Sequence, residues 1–285
     1  MDRAADPVLL IGGDGFIGAA LAGRLRAEGR VVDATSRRAG TGRTFDLADP
    51  DLARLDGASA VVICAAMARL KDCERDPAGA RAVNVDGPAR LAREAAARNL
   101  PLLQLSTDKV FDGNHAVRDR DDMTDARTVY GRLKAEAERR ILEAHPGAAI
   151  LRLSKVVSPE LPLIEGWRRD LMSGRTIAPF SDMWLAPVLC AGVCSVISRI
   201  LAGGESGLFH YTGARDVTYE EFAFRLAQVW SVDPAQIQAR PMPAELKGPP
   251  EQGWHTTLEM SREQALWGVT PPSIETVAAA LGRSA

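Results

Sequence analysis

No run of about eighteen apolar residues occurs in the sequence, which excludes a membrane-spanning helix of ordinary length. The opening stretch "MDRAADPVLLIGG" has only a short apolar run before glycine, too short for the core of a secretion signal. Cysteine is scarce. Cys64, Cys73, Cys190 and Cys194 form neither a disulfide framework nor a zinc spacing with nearby histidine. Cys190 and Cys194 lie four apart in an apolar stretch and read as small buried hydrophobes on one helix face. A reducing compartment, the cytoplasm, is the expected location. His115, His145, His210 and His255 are scattered, so no metal site is expected. His210, inside "FHYTG", reads as a buried, hydrogen-bonded histidine. A net charge of -2 supplies no basic excess for nucleic acid or an anionic membrane, and neither is expected as a partner. Internal repeats and low-complexity linkers are absent as well.

What remains is an ordinary globular composition, 46% hydrophobic and 25% charged over 285 residues. That length suits one composite domain or two joined ones. Strands are expected at Val8 to Ile11, 30–37, 59–66, 100–106, 148–154 and 207–213. Helices are expected at Phe16 to Glu28, Pro77 to Arg98, Asp125 to Ala144, 187–201, 219–230 and 271–283. Thr218 with Glu221 forms a capping box for the 219–230 helix. After about residue 155, Pro159, Pro162, Pro179 and Pro187 break the pattern, as in a substrate-capping region. The early strands are continuous apolar runs alternating with helices. Such strands are covered on both faces, which gives an α/β, doubly wound parallel sheet.

Within "VLLIGGDGFIGAAL" (8–21), Gly12, Gly15 and Gly18 sit between the first strand and the first helix. Gly12 allows a tight turn, Gly15 lets backbone approach a pyrophosphate, and Gly18 lets the helix pack closely. The unpaired amides and positive end of the helix then face the phosphates. The predicted strand and helix on either side supply the context that a dinucleotide-binding motif needs. The expected organisation is a Rossmann domain at 1–154 and a substrate-binding region at 155–285, with 187–213 returning to the Rossmann sheet. At the tip of the second strand, Ser36, Arg37 and Arg38 suit a 2′-phosphate, because arginine binds phosphate oxygens as a fork. Asp33 would instead read a free 2′-hydroxyl if the strand ended early. NADP(H) is the expected cofactor and NAD(H) the alternative.

Tyr130 and Lys134 in "TVYGRLKAEAE" (128–138) share one helix face. A phenol is a poor acid near neutral pH, and a neighbouring ammonium favours its ionised form. "LSTDKVFDG" (105–113) offers Ser106 and Thr107 as hydroxyls that polarise a substrate oxygen. Trp167, Arg168 and Arg169 read either as a diphosphate grip or as a basic helix face. "RDRDD" (118–122) reads as a solvated loop.

Together these residues resemble an extended short-chain dehydrogenase/reductase, and within that group the sequence is most similar to dTDP-4-dehydrorhamnose reductases. The resemblance rests on the glycine turn, "ICAAM" (63–67), "CERDPAGARAVNVDG" (73–87), "STDKVFDG" (106–113), "YGRLK" (130–134) and "GLFHYTG" (207–213). It implies a catalytic triad: Thr107 bonding the sugar carbonyl, Tyr130 exchanging the proton, and Lys134 tuning Tyr130 and holding the nicotinamide ribose. It further implies that Gly13, Asp14, Gly15, Phe16 and Ile17 line the pyrophosphate and that Asp46 and Leu47 border the adenine. Ala65, Ala66 and Met67 would face the ribose side, with Asn84 supporting the site. Lys109 and Val110 would lie by the substrate, and its nucleotide would lie against Trp184 and Pro187. A nucleotide-sugar substrate follows, and the group admits homodimers.

Lys109 stands where these reductases usually carry tyrosine, which changes the charge near the sugar. Two other functions fit the same resemblance. One is an epimerase or dehydratase that retains NAD, although no glutamate follows Asp108 to complete a dehydratase acid pair. The other is a non-catalytic NADP-binding regulatory subunit, for which the intact Tyr130 and Lys134 have no chemical use.

Overall fold

In the computed structural model, residues 6–37, 44–244 and 255–283 are described. The chain forms β1 (Val8–Ile11), α1 (Phe16–Ala27), β2 (Val32–Thr35), β3 (Ala60–Ile63), α2 (Leu70–Arg75) and α3 (Pro77–Arg81). A π-helical stretch, Ala82–Asp86, leads into α4 (Gly87–Ala97), followed by β4 (Leu102–Thr107), α5 (Val129–Ala144) and β5 (Ala149–Leu153). Then come β6 (Lys155–Val157), α6 (Pro162–Met172), β7 (Trp184–Leu185), β8 (Pro187–Leu189), α7 (Cys190–Gly203) and β9 (Gly207–Tyr211). The remainder is β10 (Val217–Thr218), α8 (Tyr219–Trp230), α9 (Ser261–Trp267) and α10 (Ile274–Arg283).

Two compact units emerge. The first gathers described residues of 1–111, 123–152 and 191–209; the second gathers those of 112–122, 153–190 and 210–285. Segment 112–122 therefore groups with the second unit, although the expected boundary at 154 put it in the first.

A six-stranded sheet in the order β2-β1-β3-β4-β5-β9 carries the first unit's core. Val8 of β1 registers with Val32 and with Ala60, and Val61 of β3 with Leu102, all in parallel. β1, β3, β4 and β5 are buried along their whole lengths, as continuous apolar strands between two helical layers must be. The chain leaves β1 for β2 on one side and β3 on the other. The carboxyl ends of β1 and β3 thus flank the switch point where such sheets bind ligands.

The helix expected over 77–98 runs without a break through α3, the π-helical stretch and α4. Asp76 caps α3 by accepting from the Gly79 amide at 2.9 Å. The extra residue in the π turn belongs to the segment that presents Asn84, and such bulges recur at functional sites. The helix expected at 125–144 starts later, at Val129, because Thr128 caps it through the Gly131 amide at 3.1 Å. The helix expected over 187–201 begins at Cys190. Its first residues are β8, where Pro187 registers with Lys155 of β6. Cys190 and Cys194 are both buried on α7.

The second unit has its own core, including Trp167, Leu171, Phe222, Leu226, Trp230, Val277 and Leu281. Trp167 packs edge-on against Tyr219 at 6.3 Å and Phe222 at 6.4 Å, so it is core rather than part of a diphosphate grip. Pro162, read as a breaker, opens α6, where a missing amide hydrogen does no harm. Only half of the capping box forms: Thr218 accepts from the Glu221 amide at 3.0 Å, but the Glu221 carboxylate pairs with Arg215. The 118–122 loop is not the solvated segment expected. Arg118 pairs with Asp122 at 3.0 Å and Asp112 at 3.4 Å, and Arg120 with Glu259 at 3.0 Å. His210 is fully buried, with Nδ1 2.8 Å from the Glu259 carbonyl oxygen. No described helix is long and apolar enough to cross a membrane.

Helix α1 contains two glycines with opposite surroundings. A Cβ at Gly18 would lie 2.1 Å from the Gly12 carbonyl oxygen, whereas one at Gly23 meets nothing within 4 Å. Gly18→Ala is expected to lower unfolding stability by about 1–3 kcal/mol through overpacking. Gly23→Ala is expected to raise it by up to about 1 kcal/mol through helix propensity. Urea unfolding of the two variants checks the contrast.

Candidate functional site

The turn after β1 is shaped by what it cannot hold. Gly12 has φ of +83°, and a Cβ there would sit 2.6 Å from the Ala65 side chain. Gly13 abuts β2, where a Cβ would meet Ala34 at 2.6 Å. The Gly13 amide donates to the Thr35 carbonyl at 2.8 Å, tying the turn to both neighbouring strands. Gly15 is the N-cap of α1, with no side chain to close the helix end. Gly18 packs on the turn itself, against the Gly12 carbonyl, rather than merely on the sheet.

A cleft of about 580 Å³ opens from this turn. Of the residues expected to hold the dinucleotide, Gly12, Asp14, Gly15, Phe16, Arg37, Asp46, Leu47, Ala65 and Ala66 line it. Gly13, Ile17 and Gly18 are not on its wall and serve as framework. Ser36 is buried at the tip of β2 and bridges to Thr44. Arg38 lies outside the described residues. Sequence reasoning missed Phe45, Cys64, Ala68, Arg69 and Val83, which also line the cleft. Of these only Arg69 carries a charge that could have marked it.

Met67 and Asn84 are bound to one another. Asn84 accepts from the Met67 amide at 2.8 Å and donates to the Met67 carbonyl at 3.0 Å. Cys73 Sγ also reaches that carbonyl at 3.1 Å. Asn84 therefore acts by fixing the loop after β3, with its own amide group already satisfied. Asp33, the alternative ribose reader, lies inside β2, with its carboxylate 3.3 Å from Arg54 Nη1.

Thr107, Tyr130 and Lys134 are brought together at the carboxyl end of β4. Helix α5 comes close because residue 131 is glycine: a Cβ there would lie 2.1 Å from the Lys109 carbonyl oxygen. Successive side chains on β4 diverge, as the pleat requires. The Ser106 hydroxyl turns to Glu138, whereas Thr107 faces Tyr130. The Thr107 hydroxyl donates to Asp108 Oδ1 at 3.0 Å and accepts from the Lys109 amide at 3.2 Å. Lys109 Nζ is 3.0 Å from Asp108 Oδ2, so the departure from the family tyrosine is neutralised locally.

The electrostatics depart from expectation. Burial pushes the Tyr130 phenol well above its ordinary value; the Asp108 carboxylate and Cys73 add to this, and the Thr107 bond opposes it. The phenol, protonated at neutral pH in any case, holds its proton more tightly here than an ordinary one. The Lys134 ammonium does not reverse this, since its Nζ donates to the Leu105 carbonyl at 2.6 Å. Burial lowers Lys134 to about 8, with Glu138 opposing the fall.

Val110 is fully buried, and Pro187 is buried within β8, so neither side chain has surface to offer a substrate. Trp184 is exposed in the second unit and meets the His255 ring edge-on at 4.9 Å. His255 Nδ1 lies 3.0 Å from Asp216 Oδ2. The Asp216 carboxylate also accepts from the Thr256 amide at 2.8 Å and the Thr257 hydroxyl at 2.9 Å, which accounts for that histidine as part of a loop anchor. No group of three or more metal-ligating side chains occurs among the described residues.

Over residues 6–281 the sequence matches the family described as the RmlD substrate binding domain. This chain belongs to that family. Its RmlD-type relatives include a probable low-salt glycan biosynthesis reductase, Agl14, of Haloferax volcanii, 31% identical over 78% of this chain and 76% of that protein. A dTDP-4-dehydrorhamnose reductase of Mycolicibacterium smegmatis is 27% identical over 95% of this chain and 83% of its own. Among solved structures, the dTDP-4-dehydrorhamnose reductase of Bacillus anthracis in complex with NADP superposes with a TM-score of 0.87. It shares 17% identity and covers 98% of both chains. The α/β fold with a parallel central sheet is the one this RmlD-family chain adopts.

The depressed Lys134 makes a signed prediction. Between about pH 8 and 10.5 the unfolded chain binds the Lys134 proton and the folded chain does not. Unfolding stability carried by this group therefore rises with pH across that window. The stability of the wild-type chain relative to Lys134→Met is expected to increase from pH 8 to pH 10, read by urea unfolding at each pH. A flat difference contradicts it.

Proposed function

We propose that this chain is an NADP(H)-dependent reductase of a nucleotide-linked 4-keto-6-deoxy sugar. The observation that carries the reading is the half-buried Tyr130 facing Thr107, at the carboxyl edge of the sheet whose turn excludes a Cβ at residues 12, 13 and 18. The relatives named dTDP-4-dehydrorhamnose reductase support the substrate class.

The dinucleotide fits the residues present. The glycine turn leaves room for a pyrophosphate against the N-terminal turn of α1, where free amides and the helix dipole favour anions. Arg37 on the cleft wall offers a fork to a 2′-phosphate. β2 runs on to Thr35, and Asp33 is paired with Arg54, so the carboxylate that would select NAD is not at the strand tip. When bound, the nicotinamide supplies the hydride.

The chain's own residues handle the proton and the orientation. Tyr130, protonated at neutral pH as phenols are, gives its hydrogen to the carbonyl oxygen as charge develops there. Thr107 orients the same oxygen once its hydroxyl turns away from Asp108. Lys134 balances the phenolate left behind. Lys109, two residues after Thr107 and held by Asp108, is the residue that tunes which sugar is accepted.

Purified protein is expected to consume NADPH with a nucleotide-linked 4-keto-6-deoxy sugar, followed by absorbance and product stereochemistry. Consumption with no such sugar rejects the reading, and stoichiometric NAD released on denaturation favours the epimerase class instead. Tyr130→Phe is expected to lower kcat by about 10²–10⁴ without changing the Kd for NADPH. Arg37→Ala is expected to weaken NADPH binding about tenfold or more and to leave NADH binding unchanged, by fluorescence titration.

A further inference from the structure

Glu138 is 4% exposed, and its carboxylate is bound on several sides. From β5, Arg152 Nε lies 3.1 Å from Oε1 and 3.2 Å from Oε2, and Nη2 lies 2.7 Å from Oε2. The Ser106 hydroxyl donates to Oε1. The Arg152 guanidinium also covers the Phe111 ring, 5.0 Å from its centroid. A buried ion pair is weak support for stability in its own right. What this one acts on is therefore the question, and the answer is one helical turn away.

Tyr130, Lys134 and Glu138 follow each other at four-residue steps along one face of α5. Lys134 is 2% exposed, with its Nζ on the Leu105 carbonyl. We propose that Glu138 is a positioning residue for Lys134: clamped by Arg152 and Ser106, it keeps the buried ammonium charged beneath the Tyr130 phenol. The proposal deepens the proton-donor reading of Tyr130 and Lys134 and rests on it for its catalytic meaning.

An ammonium removed from water gives up its proton unless a negative group faces it. Burial takes Lys134 down to about 8, and Glu138 is the charge that limits the fall. The other groups around the lysine do not supply that charge. β4 contributes the Leu105 carbonyl and the Ser106 hydroxyl, and β5 contributes the cationic Arg152. Asp108 and Cys73 act on the phenol instead. Arg81, Asp86, Glu136 and Arg140 pair among themselves around the more exposed part of α5.

The chain has five lysines, Lys71, Lys109, Lys134, Lys155 and Lys247, few enough to resolve individually by NMR after labelling the lysine ε-carbon. Loss of one signal in Lys134→Arg assigns the buried one. Its midpoint is expected near pH 8 in the wild-type chain. In Glu138→Gln it is expected to fall by about one unit or more, a tenfold loss of proton affinity. Glu138→Asp, which keeps the charge, is expected to restore most of it. The double variant Glu138→Gln with Arg152→Gln removes both ions together and avoids stranding a buried guanidinium. It is expected to lower the midpoint by a smaller amount, because a cation leaves with the carboxylate, and serves where the single variant does not fold. An unchanged Lys134 midpoint in either folded variant overturns the proposal. A midpoint that falls in a protein reducing no nucleotide-linked ketone upholds the charge relation and rejects the catalytic reading. A merely structural Glu138 would change the melting temperature and leave the midpoint in place.

Discussion

Everything at the carboxyl edge of the sheet depends on backbone approaching backbone more closely than side chains allow. The turn after β1 is pressed between Ala34 of β2, Ala65 after β3 and the first turn of α1. No Cβ fits at residues 12, 13 or 18, so the dipolar end of the helix is brought down onto the strand ends. The same device recurs where Gly131 lets α5 close on the Lys109 carbonyl, which sets Tyr130 beside Thr107. Close approach at two points thus fixes both the cleft and the proton-handling group. Interaction energy at those points is less important than the exclusion of bulk.

Burial then decides the chemistry. The phenol and the ammonium are both forced toward their neutral forms, which is opposite in consequence for the two groups. For Tyr130 this means a proton held more tightly than in an ordinary phenol. For Lys134 it means a weaker hold on its charge. Glu138, itself paired with Arg152, is the counterweight that lets a fully buried lysine remain an acid near neutral pH. Lys109 and Arg37 are less buried: Lys109 is half-buried on the buried Asp108 carboxylate, and Arg37 is exposed on the cleft wall.

Much of this was legible from residue order because the controlling features are local. An apolar run, three glycines and an amphipathic segment specify strand, turn and helix without reference to the rest of the chain. Tyr130 and Lys134 share a face by helical geometry alone. Reading failed where the partner is distant. Pro187 looks helical from its neighbours, yet it pairs with Lys155 in a strand. "RDRDD" looks solvated until Asp112 and Glu259 are brought to its arginines. Val110 looked available to substrate because its neighbours Thr107 and Lys109 are at the site, but it points wholly inward.

The sequence by itself determined the α/β architecture, the glycine turn and the pairing of a phenol with an amine, since each follows from spacing within a few residues. Tertiary structure alone decided how tightly that phenol and that amine hold their protons and the positions of Ser106, Asn84 and Asp33. The physical reason is that desolvation and charge–charge interaction depend on what surrounds a group in space. Glu138 and Arg152 are 14 positions apart in sequence and 2.7 Å apart in the fold, and no periodicity in the sequence joins them.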